Sequence, residues 1–254
     1  MSRSGRWASR GLPVLGMALV IGLWWLVTAA FGIEEFLVPS PGDVVAALAE
    51  QPGFFLAQTW VTLAETVEGF ALSVAVGVPV AVAIAASRLL EHMVYPLLLA
   101  VNAVPKIAIA PILVVWMGFG QLPKVVMVFL LCFFPIVIAT ATGLKSTPAE
   151  LVELARSLAA GPLQTFFKIR FPYALPQIMV GLKVSITLAV IGAVIAEFVG
   201  ADAGLGFVIV QSGASADTAL AFAAMTLLGA ISIGLFYGLS ALERLLLPWA
   251  EPNP

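Results

Sequence analysis

Long apolar runs separated by short polar segments dominate the chain. Each run holds about the 20 residues that an α-helix needs to cross roughly 30 Å of hydrocarbon. Because backbone amides in lipid must pair within their own segment, such runs predict transmembrane helices. Six are predicted: residues 12–33, 69–87, 92–117, 125–144, 174–198 and 218–242. Lys106 interrupts the third run, and Lys183 interrupts the fifth.

The composition excludes an ordinary soluble protein. Hydrophobic residues make up 61% of the chain and charged residues only 10%, and the mean hydropathy is +1.09. Soluble domains carry about 45–50% apolar and about 25% charged residues. The same composition excludes a disordered region and a nucleic-acid binder, which would need a basic surface. We therefore predict an all-α, polytopic membrane protein.

Little in the chain could hold a metal or a nucleotide. Cys132 is the only cysteine and His92 the only histidine, so neither an intrachain disulfide nor a His-rich metal site can form. The phosphate-binding pattern G-x-x-x-x-G-K-[ST] is absent. No catalytic residue, metal or cofactor is therefore assigned, and Cys132, in an apolar run, is interpreted as packing.

Lysine and arginine set the predicted orientation, because they concentrate in cytoplasmic loops. Only Lys124 lies in the segments assigned to the outside, residues 32–60, 118–124 and 199–217. Nine basic residues lie on the other side: Arg3, Arg6, Arg10, Arg88, Lys145, Arg156, Lys168, Arg170 and Arg244. Both termini are predicted to be cytoplasmic. The first run exceeds the 7–15-residue core of a signal peptide, which predicts an uncleaved span.

Two loops carry local signals. Outside the first run, the prolines of Val38-Pro39-Ser40-Pro41 predict a turn and then a short surface helix over residues 44–48, capped near Ser40. On the cytoplasmic side, residues 145–173 contain a predicted helix with Thr147 as its N-cap, Pro148 at its first position and Glu150 in a capping box.

The cytoplasmic helix is amphipathic. Its apolar stripe consists of Leu151, Leu154, Ala155 and Leu158. Gly161-Pro162 is predicted to end it and begin a second piece, which Pro172 closes. From the pattern alone, the stripe could lie in the lipid interface, pack on the protein's own helices or dock into a partner.

The same loop resembles the EAA motif of ABC-importer permeases, E-A-A-x3-G-x9-I-x-L-P. Glu153-Leu154-Ala155, Ala159 and Ile169-Arg170-Phe171-Pro172 match its spacing. Leu154, Ala159 and Phe171 depart from the usual alanine, glycine and leucine. Replacing glycine, which costs about 1 kcal/mol in a helix, is expected to raise helix propensity at Ala159. Whether the helix bends there is left open.

Further segments resemble the same family in order. They are Val38 to Pro41 (L-P-S-P), Thr62-Leu63 with Gly69-Phe70, Val104 to Gly120, and Ala196-Glu197 with Gly204-Leu205-Gly206. Glu65 stands where an arginine is usual. Together the segments cover about residues 38–248, and the pattern is most similar to permeases of the nitrate, sulfonate and taurine group.

The resemblance implies a six-helix permease of the type I ABC-importer kind, in the inner membrane of a bacterium. It implies one permease domain over residues 1–254, with a coupling loop over residues 145–173. A second copy of the permease, two ATPase subunits and a periplasmic or lipid-anchored binding protein are the implied partners, with membrane lipid around them. The chain itself would not be an enzyme. The residues implied to couple to the ATPase are Glu153, Leu154, Ala155, Arg156, Ser157, Ala159 and Gly161.

Charged residues within the spans are candidates for a solute pathway, because intramembrane charges are costly and usually face a bundle interior or a water-filled route. The candidates are Asn102, Lys106, Lys183 and Glu197. Lys183 could instead snorkel, and Glu197 could be a loop contact. Glu65 and Glu68 are expected to be solvated at the interface. A small anionic solute would suit Lys106.

Two other functions stay open at this point. One is a secondary transporter driven by an ion gradient, with Glu65, Glu68 or Glu197 as its proton site. The other is a membrane scaffold without transport.

Overall fold

The computed structural model of the chain describes residues 3–249, except for the side chains of residues 3–11, 13, 14 and 99. Regular structure within that range is entirely helical. The helices are α1 (Arg3–Phe31), α2 (Pro41–Glu50), α3 (Pro52–Ala86), α4 (Arg88–Asn102), α5 (Ala110–Met117), α6 (Gln121–Lys145), α7 (Ala149–Ser157), α8 (Pro162–Thr165), α9 (Phe171–Gly200), α10 (Leu205–Ser215) and α11 (Thr218–Leu246).

Four helices in the described part are long and apolar enough to cross a membrane. They are α3, α6, α11 and the continuous segment Pro162–Gly200 that contains α8 and α9. The pair α4 and α5 could form a fifth span. In α1 the apolar portion Leu15–Phe31 is shorter than these helices. The all-α prediction is confirmed, and the count of six spans stays a prediction.

The third predicted run is broken rather than merely kinked. α4 ends at Asn102, a 3₁₀ turn covers Lys106–Ile109, and α5 begins at Ala110. The two halves meet at an angle of 78°. Pro105 precedes the turn and Pro111 lies in the first turn of α5. Because proline lacks an N–H and disfavours a helical residue before it, the two prolines account for the break.

The core consists of α3, α6 and α9, which pack closely because glycines line their contacts. A Cβ atom on Gly192 of α9 would lie 3.0 Å from the Cα atom of Val128 on α6. One on Gly69 of α3 would lie 2.8 Å from the carbonyl oxygen of Val125. Small residues therefore let these backbones approach, as is usual between helices in lipid.

A second apolar cluster lies where α2, α10 and the starts of α3 and α11 meet. Its buried residues are Val44, Phe55, Leu205, Val208, Ala223 and Ala224. The predicted surface helix is confirmed here as α2, and Ser40 caps it. The Asp43 N–H donates to Ser40 Oγ at 3.3 Å, and the Ser40 N–H donates to Asp43 Oδ2 at 2.8 Å.

The segment between α6 and α9, which is predicted to be cytoplasmic, differs from its predicted form at both ends. Pro148, not Thr147, precedes α7, and the Thr147 hydroxyl donates to Leu144 at the end of α6 instead. The prediction that Pro172 closes the segment is wrong, because α9 runs through it. A π-helical turn, Phe166–Arg170, leads into α9, and the Phe171 N–H bonds to the Phe166 carbonyl oxygen. This shifted pattern accommodates a proline in the first turn of α9.

Candidate functional site

α7 presents most of its apolar stripe outward. Only Ala155 is buried, at 4% exposure, whereas Leu154 and Leu158 are 56% and 74% exposed. The stripe therefore does not pack mainly on the protein's own helices. Of the other predicted coupling residues, Glu153, Arg156, Ser157 and Ala159 are exposed and Gly161 is half-buried.

A shallow groove of about 380 Å³ runs beside this stripe. Its walls come from α7, from the segment that leads into α9, and from Trp249 beyond the end of α11. The lining residues are Leu151, Leu154, Ala155, Leu158, Lys168, Ile169, Pro172, Tyr173 and Trp249. An apolar floor with Lys168 at its side suits a partner surface that carries an apolar side chain and a carboxylate.

Ala159 adopts the left-handed conformation, with φ of 55°. It lies beyond α7, which ends at Ser157, so the expectation that alanine raises helix propensity here is wrong. The Ala160 N–H bonds to the Ala155 carbonyl oxygen at 2.9 Å, and the Ala159 N–H bonds to that of Arg156 at 3.0 Å. These two bonds form a Schellman motif, in which glycine is the usual residue at the left-handed position. The glycine position of the EAA motif is therefore a helix end.

Asn102 and Lys106 lie together at the break between α4 and α5. The Lys106 ammonium donates to Asn102 Oδ1 at 2.8 Å and to the Asn102 carbonyl oxygen at 3.1 Å. It also lies 5.0 Å from the ring centroid of Phe134 on α6. The pair thus places a cation on a broken helix, with Asn102 exposed beside it.

Lys183 and Glu197 lie apart from that pair and have their own partners. The Lys183 ammonium forms an ion pair with Glu243 on α11. Glu197, near the end of α9, accepts hydrogen bonds from the Thr62 hydroxyl at 2.7 Å and the Gly206 N–H at 2.5 Å. Sequence reasoning missed Glu243, although its position one helical turn before the end of α11 matches the cytoplasmic depth expected for Lys183.

Glu65 is not solvated, contrary to the expectation from sequence. It pairs with Lys124 on α6 at 2.7 Å, and the two side chains are only 3% and 5% exposed. Glu68 is exposed as expected and accepts a hydrogen bond from Gln121 at 2.7 Å. The signal that could have revealed the pair is the single outer lysine at the same predicted depth as Glu65.

Gly204 and Gly206 wrap the chain around the Glu197 carboxylate. Gly204 has φ of 115°, and a Cβ atom there would collide with that carboxylate. A Cβ atom on Gly206 would lie 2.7 Å from Glu197 Oε2. The A-E…G-L-G pattern of the sequence is thus one structural unit, a carboxylate enclosed by the turn that follows it.

Comparison with known proteins gives this architecture its family. Residues 73–251 match the family described as the binding-protein-dependent transport system inner membrane component. The chain belongs to this family. It is a multi-pass protein of the bacterial inner membrane and the permease component of an ABC importer.

Related permeases cover nearly the whole chain. The formylaminopyrimidine transport permease of Halalkalibacterium halodurans is 34% identical over 94% of this chain and 96% of its own length. The taurine transport permease of Escherichia coli is 30% identical over 94% of this chain and 89% of its own length. The taurine permease confirms the resemblance to the nitrate, sulfonate and taurine group.

A solved structure shows the same fold. The inward-facing structure of the MetNI methionine ABC transporter superposes with a TM-score of 0.69 at 21% identity. The match covers 78% of this chain and 98% of that one. The permease is therefore built like a type I importer.

Proposed function

We propose that this permease forms the membrane pore of an importer whose ATP is hydrolysed by separate ATPase subunits. The observation that supports this most is α7, a short helix with exposed apolar residues between the two core helices α6 and α9. A partner that moves α7 would move both of these helices. The permease contributes no catalytic residue in this proposal.

We assign the contact with the ATPase to Glu153, Leu154, Arg156 and Ser157, which are exposed on α7. Ala159 and Gly161 shape the end of the helix and the turn to α8. The role of Ala155 differs from that of its neighbours, because its burial makes it part of the permease's own packing.

The proposed assembly contains two copies of this permease, two ATPase subunits and an external binding protein, in membrane lipid. Each chain would act as one permease domain over residues 1–254, with residues 145–173 on the cytoplasmic side. The nine basic residues on that side support cytoplasmic termini, with α1 as a further span.

For the solute pathway we propose Asn102 and Lys106. A helix broken near the middle of a span leaves polar backbone groups that need a water-filled route or protein partners. The Lys106 ammonium then supplies a positive charge to that route. Lys183 and Glu197 already have partners, so we assign them a supporting role, Lys183 in the middle of α9 and Glu197 in its last turn.

A small organic or inorganic anion of the taurine, sulfonate or nitrate type suits Lys106. A nitrogen heterocycle is a second candidate, because the formylaminopyrimidine permease is more similar to this chain than the taurine permease is, at 34% against 30% identity. The Asn102 amide could contact either kind of solute.

An ion-gradient mechanism fits the structure less well. Glu65 is held by Lys124, and Glu197 is held by Thr62 and Gly206. Neither carboxylate faces an open route along which a proton could be exchanged. Glu68, a residue of α3, is exposed and lies beside the start of α6 rather than within the core.

Reconstitution tests this proposal. The permease, its ATPase and its binding protein are placed in proteoliposomes, and uptake of radiolabelled taurine and of a formylated aminopyrimidine is compared. Uptake of either solute is expected only when ATP is present on the side that α7 faces. Uptake driven by a proton gradient without ATP would contradict the proposal, and the permease alone serves as the control for ATP hydrolysis.

A further inference from the structure

We propose that a buried polar cluster makes the outer helix α10 move with the helices that carry α7. The outer cluster consists of Gln58, Thr62, Glu65, Lys124 and Glu197 together with the backbone of residues 203–206. Its role would be to couple the external binding protein to the ATPase. This inference rests on the proposed function, since it assumes both partners.

The outer cluster joins four helices. Gln58, Thr62 and Glu65 lie on one face of α3, because they are spaced by four and three residues. Lys124 comes from the first turn of α6, and Glu197 comes from the last turn of α9. The backbone groups belong to the turn before α10 and to its first residues.

Thr62 is the centre of the outer cluster. Its hydroxyl donates to Glu197 Oε1 at 2.7 Å and accepts from the Leu205 N–H at 2.8 Å. One oxygen atom of α3 thereby bonds to both α9 and α10. Gln58 adds a second link, because its Oε1 atom accepts from the Gly204 N–H at 2.6 Å.

The two carboxyl groups of the outer cluster, Glu65 and Glu197, interact with each other and with Lys124. Lys124 faces Glu65 at 2.7 Å, while Glu197 lies at the N-terminus of α10, where backbone N–H groups and the helix dipole stabilise a carboxylate. Well-packed apolar residues would be no less stabilising in such a position. The polar contacts add a defined geometry, because each hydrogen bond fixes the position of one helix relative to another.

The position of the outer cluster relative to α7 gives it a role in transmission. Lys124 and Glu197 lie at one end of the antiparallel pair α6 and α9, and α7 joins the other ends of the same two helices. α6 has 25 residues, so the two ends are roughly 37 Å apart at about 1.5 Å per residue. α10 follows α9 after a turn over residues 201–204. The outer cluster fixes this turn to α3 and α9, so a displacement of α7 that is carried by α9 would reach α10.

The binding protein is the partner expected at α10. α10 lies on the outer side in the proposed orientation, and its residues Val210 and Ser215 are exposed. Docking there would move α10, and through the outer cluster it would move α6, α9 and the distant α7. By reciprocity, the ATPase would influence the affinity of the binding protein for the permease.

The chain offers a matched pair of variants as a test. Thr62 and Thr66 are both fully buried on α3, and both side chains are isosteric with valine. Among the described residues, the Thr66 hydroxyl bonds only to the Thr62 carbonyl oxygen in its own helix, at 2.7 Å. Thr62→Val therefore breaks contacts with α9 and α10, whereas Thr66→Val does not. Thr62→Ser restores the hydroxyl, and Gln58→Met removes a single link at the half-buried rim.

Four quantities are measured for the complex in nanodiscs: co-purification of the ATPase, its basal rate, its stimulation by the solute-loaded binding protein, and thermal stability. Thr62→Val is expected to keep the ATPase and its basal rate while stimulation falls by roughly fivefold or more, the range of typical allosteric coupling. Gln58→Met should give a smaller loss. Thr66→Val and Thr62→Ser should be stimulated like the parent.

Two results would overturn the inference. Parental stimulation in both Thr62→Val and Gln58→Met would show that α10 is not driven through the outer cluster. A proportional fall in basal and stimulated rates, or loss of the ATPase from both variants, would show that the outer cluster only stabilises the fold. Failure of the proposed function is distinct, because the parental complex itself would then show no stimulation.

Discussion

Lys183 on α9 and Glu243 on α11 neutralise each other within the helical bundle. Their side chains are 18% and 22% exposed, and the Lys183 ammonium also lies 6.0 Å from the ring centroid of Phe236. A lysine that interrupts an apolar run in the sequence is thus paired with an acid that is distant along the chain.

The first prediction concerns this pair. Removing one partner leaves a poorly solvated charge, and breaking such pairs costs about 3–5 kcal/mol when they are fully buried. The exposure here lowers that figure, so Glu243→Leu is expected to cost about 1–3 kcal/mol. Lys183→Met combined with Glu243→Leu should recover most of the loss. Thermal unfolding in detergent measures both; an equally unstable double variant would contradict the prediction.

The second prediction concerns Ala159. The left-handed conformation costs a non-glycine residue about 1 kcal/mol, which glycine avoids. Ala159→Gly is therefore expected to stabilise the permease by about that amount. Ala160→Gly is the matched control, because Ala160 itself has no positive φ and should gain nothing. Thermal unfolding of the two variants gives the comparison, and equal shifts would show that Ala159 is not strained.

The third prediction concerns the charge on α7. Glu153→Lys reverses an exposed charge within the proposed ATPase contact and should prevent co-purification of the ATPase. Glu150→Lys makes the same change in the first turn of the helix and should leave the ATPase bound. Thermal stability of the free permease serves as a control for folding. A helix that only lies in lipid headgroups would keep the ATPase in both variants.

Bulk at the end of the same helix gives a fourth prediction. Ala159→Trp places a large side chain beside the exposed Leu158. It is expected to leave the permease inserted but to block docking of the ATPase. The proposed loss is measured by pull-down with a tagged ATPase. Because Ala155 is buried, a large residue there would disturb the permease's own packing and is a poor test of docking.

The fifth prediction concerns Lys106. Lys106→Glu should reduce solute uptake at least about tenfold, because one reversed charge near an anion route easily costs 1.4 kcal/mol at the barrier. Assembly with the ATPase should be unchanged. Arg88→Glu, at an exposed basic residue that does not line the groove beside α7, controls for net charge. If Lys106→Glu takes up solute at the parental rate, Lys106 has only a structural role.

Hydropathy was a good predictor of the long membrane helices. The reason is that a helix in lipid needs a run of about 20 apolar residues. The four long helices α3, α6, α9 and α11 each overlap a predicted run, although α3 begins at Pro52, well before its run at residues 69–87. Some local signals also succeeded, although the predicted Thr147 cap did not, because Pro148 takes the position before α7. The Ser40 cap and the Gly161-Pro162 start of α8 are examples.

The polar contacts between helices could not be predicted in the same way. Glu65 and Lys124 are 59 residues apart, and only the packing of α3 on α6 brings them together. The conformation of Ala159 was missed for a different reason. A sequence motif gives the spacing of its glycine position, but it does not show that the helix ends there.

The burial of Lys124 has a consequence for how a solute anion arrives. Of the described residues in the segments assigned to the outside, this lysine is the only basic one, and its charge is neutralised by the ion pair with Glu65. The exposed charged residues described in these segments are all acidic: Glu34, Glu35, Glu50, Asp202 and Asp217. Their combined field repels a dissolved anion over a screening distance of about 8 Å at physiological salt. In the proposed orientation, this field would oppose leakage of a free anion through the pore, whereas an anion enclosed in the proposed binding protein would be shielded from it.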